Sequence, residues 1–130
     1  MNLFGMRELL LVGAGGFIGS VARYVLSGLT HLVLPAAAMP VGTMVVNVLG
    51  CGVIGFLGGM MDARQVMGPG LRLFLLLGVL GGFTTFSTFG YETLALARDG
   101  DHLRAGANVL LTVVLCLVAV WLGHGIGGTR

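Results

Sequence analysis

The sequence predicts an all-α integral membrane protein with four transmembrane helices, the third of them broken, and three observations carry that prediction. The 130-residue chain is 56% hydrophobic and only 9% charged, with a mean hydropathy of +1.01. Soluble chains carry about 25% charge, so this one cannot cover its own surface with ionised groups and must face lipid. The runs Leu9 to Ala22, Tyr24 to Met61, Leu73 to Tyr91 and Ala105 to Thr129 contain no Asp, Glu, Lys or Arg, and a span needs about 20 such residues. In the middle of the third run, Gly81 and Gly82 precede Thr84, Thr85, Ser87 and Thr88. Paired glycines and clustered hydroxyls make a poor continuous helix.

The second run divides at the turn-like segment Thr30 to Pro40, which contains Pro35 and Pro40. The helices are therefore expected at about 9–29, 41–61, 71–96 and 105–125. The connections Asp62 to Gly70 and Ala97 to Arg104 are short, so residues 1–130 read as one membrane domain with no room for a soluble one. The first helix is not a cleaved signal: Glu8 follows Arg7, no small-residue cleavage pattern ends a short apolar core, and Arg23 lies within the span. Glycine supplies 24 residues, well above the roughly 7% usual in proteins. In lipid, that allows helices to pack backbone to backbone, and Gly15 and Gly19 form a GxxxG face on the first helix.

Several function classes drop out. The net charge of +2 comes from seven scattered arginines and no lysine, which argues against a nucleic-acid surface. Cys51 and Cys116 both sit in apolar runs and offer neither a disulfide framework nor a CxxC zinc site. His31, His102 and His124 are far apart near predicted helix ends and read as interfacial residues. Gly13, Gly16 and Gly19 imitate a dinucleotide-binding turn, but no Asp or Glu occurs between Glu8 and Asp62 to hold a ribose. No arrangement of nucleophile, base and acid is visible, and no metal motif, so the chain is not expected to be an enzyme.

Charge balance bears on orientation. With four spans, Arg7, Arg64, Arg72 and Arg130 share one side; Arg98 and Arg104 share the other, with Arg23 if it snorkels there. So weak a bias suggests insertion both ways round and pairing of oppositely oriented copies.

Polar groups at membrane depth are the functional candidates. Arg23 is either an interfacial anchor or a cation at the mouth of an anion path. Asn47, flanked by Val45, Val46, Val48 and Leu49, is either interhelical glue or faces a wet vestibule. A break near Gly82, the midpoint of its run, exposes backbone carbonyls where only a cavity or an ion tolerates them. Phe83, Phe86 and Phe89 recur every three residues along one side. They serve either packing or, through their positive ring edges, an anion stripped of water. Glu92 lies just beyond, and Asn108, Thr112 and Cys116 form a polar stripe on the fourth helix.

The segments GGFIGSVARY (Gly15 to Tyr24), GTMVVNVLG (Gly42 to Gly50) and GGFTTFSTF (Gly81 to Phe89) resemble those of the Fluc fluoride channels, also called CrcB proteins, and the resemblance covers essentially the whole chain. It implies a dual-topology antiparallel homodimer in the bacterial inner membrane, a multi-pass protein surrounded by lipid, with two fluoride pores and a structural sodium ion. It further implies that Phe86 and Phe89 are pore-lining rings with Ser87 and Thr88 between them. Asn47 is then the pore-facing amide, Thr43 a nearby hydroxyl, Arg23 the vestibule cation and Thr112 a hydroxyl of the fourth-helix track. Gly81 and Thr84 would give sodium their carbonyls. Cys116 departs from the hydroxyls usual there, and Phe83 falls at a variable position and is read as packing.

Two other readings compete. A small dual-topology proton-coupled efflux transporter needs a membrane-embedded carboxylate in its first helix, and Leu9 to Leu29 has none. A non-transporting subunit of a larger complex explains the glycines but not the hydroxyl and phenylalanine run.

Overall fold

The computed structural model describes residues 4–64 and 67–129, so Arg130 of the charge argument lies outside the described residues. Four helical spans run Met6–Val33, Val41–Arg64, Pro69–Arg98 and His102–Gly128, with no strand among the described residues. The spans extend beyond the expected bounds at every end except Val41, because helix continues past the apolar stretch into flanking polar residues such as Arg64 and Arg98. The third and fourth spans turn tightly: Gly100 adopts φ +82°, its amide donates to the Ala97 carbonyl at 3.1 Å and the Asp101 amide to that of Leu96 at 2.9 Å. This is a Schellman closure, which glycine adopts without a Cβ penalty. Asp101 then caps the fourth span, accepting the Arg104 amide at 3.2 Å.

Burial is inverted relative to a water-soluble protein. Large apolar side chains such as Phe17, Val25, Leu110 and Trp121 point outward. The buried hydrophobic residues among those described are only Val46, Leu80, Phe89 and Ala105. Glycine fills much of the remaining interior. The first span lies parallel to the first half of the third, and the second lies parallel to the fourth; these are the most extensive contacts. Gly15 and Gly19 are the buried residues of the first span, and a Cβ on Gly19 would overlap the Val79 carbonyl oxygen. The expected GxxxG face is therefore the one used. The second pair is a glycine zipper from both sides: Gly55 and Gly59 meet Val120 and His124, while Gly123 and Gly127 meet Gly52 and Phe56. Such approach brings Cα–H groups and carbonyls of neighbouring helices together and maximises dispersion where no hydrophobic drive exists.

The third span is wound as a wider π-helix over Leu73–Leu80, a form that frequently accompanies function. It returns to α geometry at Gly81–Phe83, and the chain then becomes extended at Thr84 (φ −84°, ψ 155°) and Thr85 (φ −151°, ψ 117°) before Phe86–Arg98 resumes the helix. The break thus falls at Thr84–Thr85, just beyond the glycine pair that marked it in the sequence. Gly82 serves packing instead, since a Cβ there would press on the Gly16 carbonyl oxygen 2.5 Å away. The glycine keeps a helix contact and stays helical.

An open backbone at this depth needs partners. Asn47 of the second span supplies them by receiving the Thr85 amide on Oδ1 at 2.8 Å and donating Nδ2 to the Thr85 carbonyl at 2.9 Å. The pairing reproduces one rung of a β ladder with a side-chain amide. Thr85 Oγ1 in turn accepts the Thr88 amide at 3.2 Å, capping the second half-helix.

Close packing at the glycines makes their replacement measurable. Gly19→Ala and Gly55→Ala should each lose about 1–3 kcal/mol by overpacking, read as a lower unfolding midpoint in detergent. Gly13→Ala and Gly28→Ala, whose new methyl meets nothing within 4 Å, should hold or gain stability. Replacing Asn47 with Leu removes both bonds to Thr85. With a cost of about 1–3 kcal/mol for unmet buried groups, amide exchange at Thr85 should rise at least about fivefold, while amides in the middle of the second span stay protected.

Candidate functional site

The break gathers the sequence-predicted residues, Ser87 excepted, around two cavities that share Thr85. One, of about 730 Å³, is lined by Ser20, Arg23, His31, Thr43, Thr85 and Thr88 among others. The other, of about 490 Å³, is lined by Asn47, Gly81, Thr84, Phe86, Phe89 and Thr112 among others. Residues drawn from all four spans thus converge on two adjoining hollows separated by a two-residue stretch of non-helical backbone.

The Phe86 and Phe89 ring centroids stand 5.4 Å apart with planes inclined at 48°, so the rings are tilted and not stacked face to face. Phe89 is buried at 7% exposure, and Phe86 is 82% exposed. A three-residue step on a helix leaves a side chain about 60° short of a full turn, which divides the two rings between interior and outer surface. Ser87 is exposed beside Phe86, its hydroxyl 3.3 Å from that of Thr85. Thr88 receives a hydrogen bond from the Thr85 hydroxyl at 3.0 Å.

Arg23 donates from Nε to the Gly82 carbonyl at 3.1 Å. One edge of the guanidinium is thereby tied to the break while its remaining donors stay at the cavity wall. Ser20, one turn earlier, approaches the same oxygen at 3.5 Å. The Gly81 carbonyl sits differently. The amides that would ordinarily reach it belong to Thr84, which donates to the Leu80 carbonyl at 3.0 Å, and to Thr85, which donates to Asn47. The Thr84 carbonyl likewise loses the Thr88 amide to the Thr85 hydroxyl. Two carbonyls near the break are therefore left without their helical amide donors, which suits a hard cation taking oxygen ligands.

Beyond Phe89, the polar residues form two chains. Thr43 donates to Glu92 Oε1 at 2.8 Å, and Glu92 Oε2 is buried without a hydrogen-bond partner among the described residues. On the fourth span, Thr112 donates to Asn108 Oδ1 at 3.4 Å, Asn108 donates to the Thr93 hydroxyl at 2.9 Å, and Thr93 donates to the Phe89 carbonyl at 2.8 Å. Asn108 and Thr112 are buried at 1% and 5% exposure, so the polar stripe foreseen at four-residue spacing faces protein. Thr85 and Thr93 do not stand out as single residues in the sequence. Their signal is position alone, Thr85 as a hydroxyl N-cap residue and Thr93 one helical turn past Phe89.

This geometry offers hydroxyls, amides, ring edges and one tethered cation along a path through apolar walls. Hydrogen donors and positive ring edges are groups that can meet a small anion.

A family model described as "CrcB-like protein, Camphor Resistance (CrcB)" matches residues 10–124. A fluoride-specific ion channel FluC from Opitutus terrae is 51% identical over 123 residues, 92% of this chain and 91% of its own. Proteins of the same name from Elusimicrobium minutum and Geobacter sulfurreducens are 49% and 46% identical over 122 and 118 residues, each alignment covering 91% of this chain and, respectively, 91% and 94% of the relative. Four membrane-spanning helices, a third span opened at Thr84–Thr85 and similarity along nearly the full length agree: this multi-pass membrane protein, which is not an enzyme, belongs to the CrcB-like family.

Proposed function

We propose that this protein is a fluoride channel, letting fluoride leave the cytoplasm passively across the bacterial inner membrane. The observation that carries the reading is the braced break, where Phe86, Phe89, Asn47 and Thr112 share one cavity; the relatives' name, fluoride-specific ion channel FluC, supports it. Fluoride is small and firmly hydrated, so a selective path must replace water without trapping the ion. Ring edges and hydrogen donors do this more gently than a fixed free cation. The second Nδ2 hydrogen of Asn47 and the hydroxyls of Ser87, Thr88, Thr43 and Thr112 are the donors that replace it. Arg23, held at its Nε, raises the local anion concentration at the entrance.

The working unit is an antiparallel homodimer with two pores. Phe86, Ser87 and Gly81 are exposed on either side of the break, and polar groups left open to lipid are costly. A second copy related by an axis in the membrane plane covers these residues and brings the two breaks together. The carbonyls of Gly81 and Thr84 from each copy would hold a sodium ion; four neutral oxygens suit a monovalent ion better than a divalent one, which usually draws carboxylates. The ion serves to fasten the two copies and is not carried across.

Liposomes holding only this protein should release fluoride and retain chloride. The double replacement Phe86→Ile and Phe89→Ile keeps apolar volume but removes the ring quadrupoles, so efflux should fall at least about tenfold with the dimer intact on gel filtration; wild-type efflux from that variant would reduce the rings to packing. A tag at the carboxyl terminus should react from both membrane faces, and prolonged exchange into sodium-free buffer containing a bulky organic cation should abolish conduction. One-sided labelling, or full conduction maintained without sodium, would overturn the assembly.

A further inference from the structure

In the glycine zipper between the second and fourth spans, Gly55 meets Val120 and Gly59 meets His124. One turn earlier, the same parallel register sets Cys51 opposite Cys116. Both are free and half-buried, and both line the cavity that holds Phe86, Phe89 and Thr112. We propose that Cys51 and Cys116 form a two-thiol site in the wall of this cavity that takes one soft divalent cation of the Hg2+ class as a linear sulfur–metal–sulfur bridge.

The ligand class follows from the donors and their surroundings. Among the described residues, no group of three or more His, Cys, Asp and Glu side chains converges, so a tetrahedral ion such as zinc would lack protein ligands. Thiolates select soft metals, and two suffice for an ion that prefers two-coordinate geometry. The balance is simple: two S–H bonds break, two sulfur–metal bonds form, and two protons pass to water. Two thiolates with a divalent ion give a neutral bridge, whereas a soft monovalent ion would leave a negative charge among Ile54, Leu80, Val113 and Leu117. The bridge would also tie together the two spans that frame the cavity. Its effect on fluoride flux rests on the function proposed above; binding itself does not.

The test uses the full-length protein titrated with mercuric nitrate in chloride-free buffer. Mass spectrometry and thiol counting should find one metal per chain with both thiols protected, and the metal should resist a glutathione wash but yield to a dithiol. Cys51→Ser and Cys116→Ser should each retain a single thiol-bound metal that glutathione removes. Two metals on the wild-type chain, or a single variant that retains its metal as firmly as wild type, overturns the site. In liposomes, the metal should reduce fluoride efflux by at least about tenfold, with recovery after dithiol treatment and no effect on the double serine variant. Unchanged efflux with both thiols occupied overturns their placement on the ion path. Absence of fluoride efflux before any metal is added would count against the channel reading, while the binding stoichiometry would still decide the two-thiol site.

Discussion

The pairing of one side-chain amide with one peptide unit governs the site. Opening a helix in hydrocarbon frees a backbone donor and acceptor that no solvent can meet. Asn47 meets both at Thr85, so the second span holds the third open. Without it, continuing the helix would be the cheaper conformation, Thr85 Oγ1 would not cap the second half-helix, and the carbonyls of Gly81 and Thr84 would regain amide donors. The two cavities, the inclined phenylalanine rings and the loose carbonyls depend on that contact.

Legibility from the sequence follows the range of the interactions. The four spans are readable because apolar length is a local property. Gly15 and Gly19 are readable because a GxxxG spacing already specifies a face. The break is detectable but displaced: a glycine pair signals weak helix, yet whether it bends or packs depends on Gly16, far earlier in the chain. The selection of Thr84–Thr85 requires Asn47 on a different helix. The zipper of Gly55, Gly59, Gly123 and Gly127 escapes a reading of the chain because among 24 glycines only the pairing register separates those in contact from those facing lipid. Period-three phenylalanines suggest one shared side, but the offset from 3.6 residues per turn places Phe86 outside and Phe89 inside.

The arrangement also separates the competing mechanisms on chemical grounds. A proton-coupled transporter requires a carboxylate that alternately binds proton and substrate within the first span. The buried carboxylate near the cavities is Glu92 of the third span, already engaged by Thr43, while the first span contributes a cation and hydroxyls. A structural subunit would have no need of a break whose polar groups are so fully organised around hollow space.

The pairing of spans one with three and two with four has a kinetic side. Neighbours in sequence touch little, and the intimate contacts join segments distant along the chain. Membrane helices insert individually and associate afterwards, and contacts distant in sequence form slowly. The first span thus waits in the bilayer with its glycine face uncovered until the third has been synthesised, and the second waits for the fourth. Before the third span is made, Asn47 has no Thr85 to hold and must turn to water at the interface or to a transient neighbour. Each pair therefore closes late, and assembly is exposed to mispairing at the stage when half the helices are present.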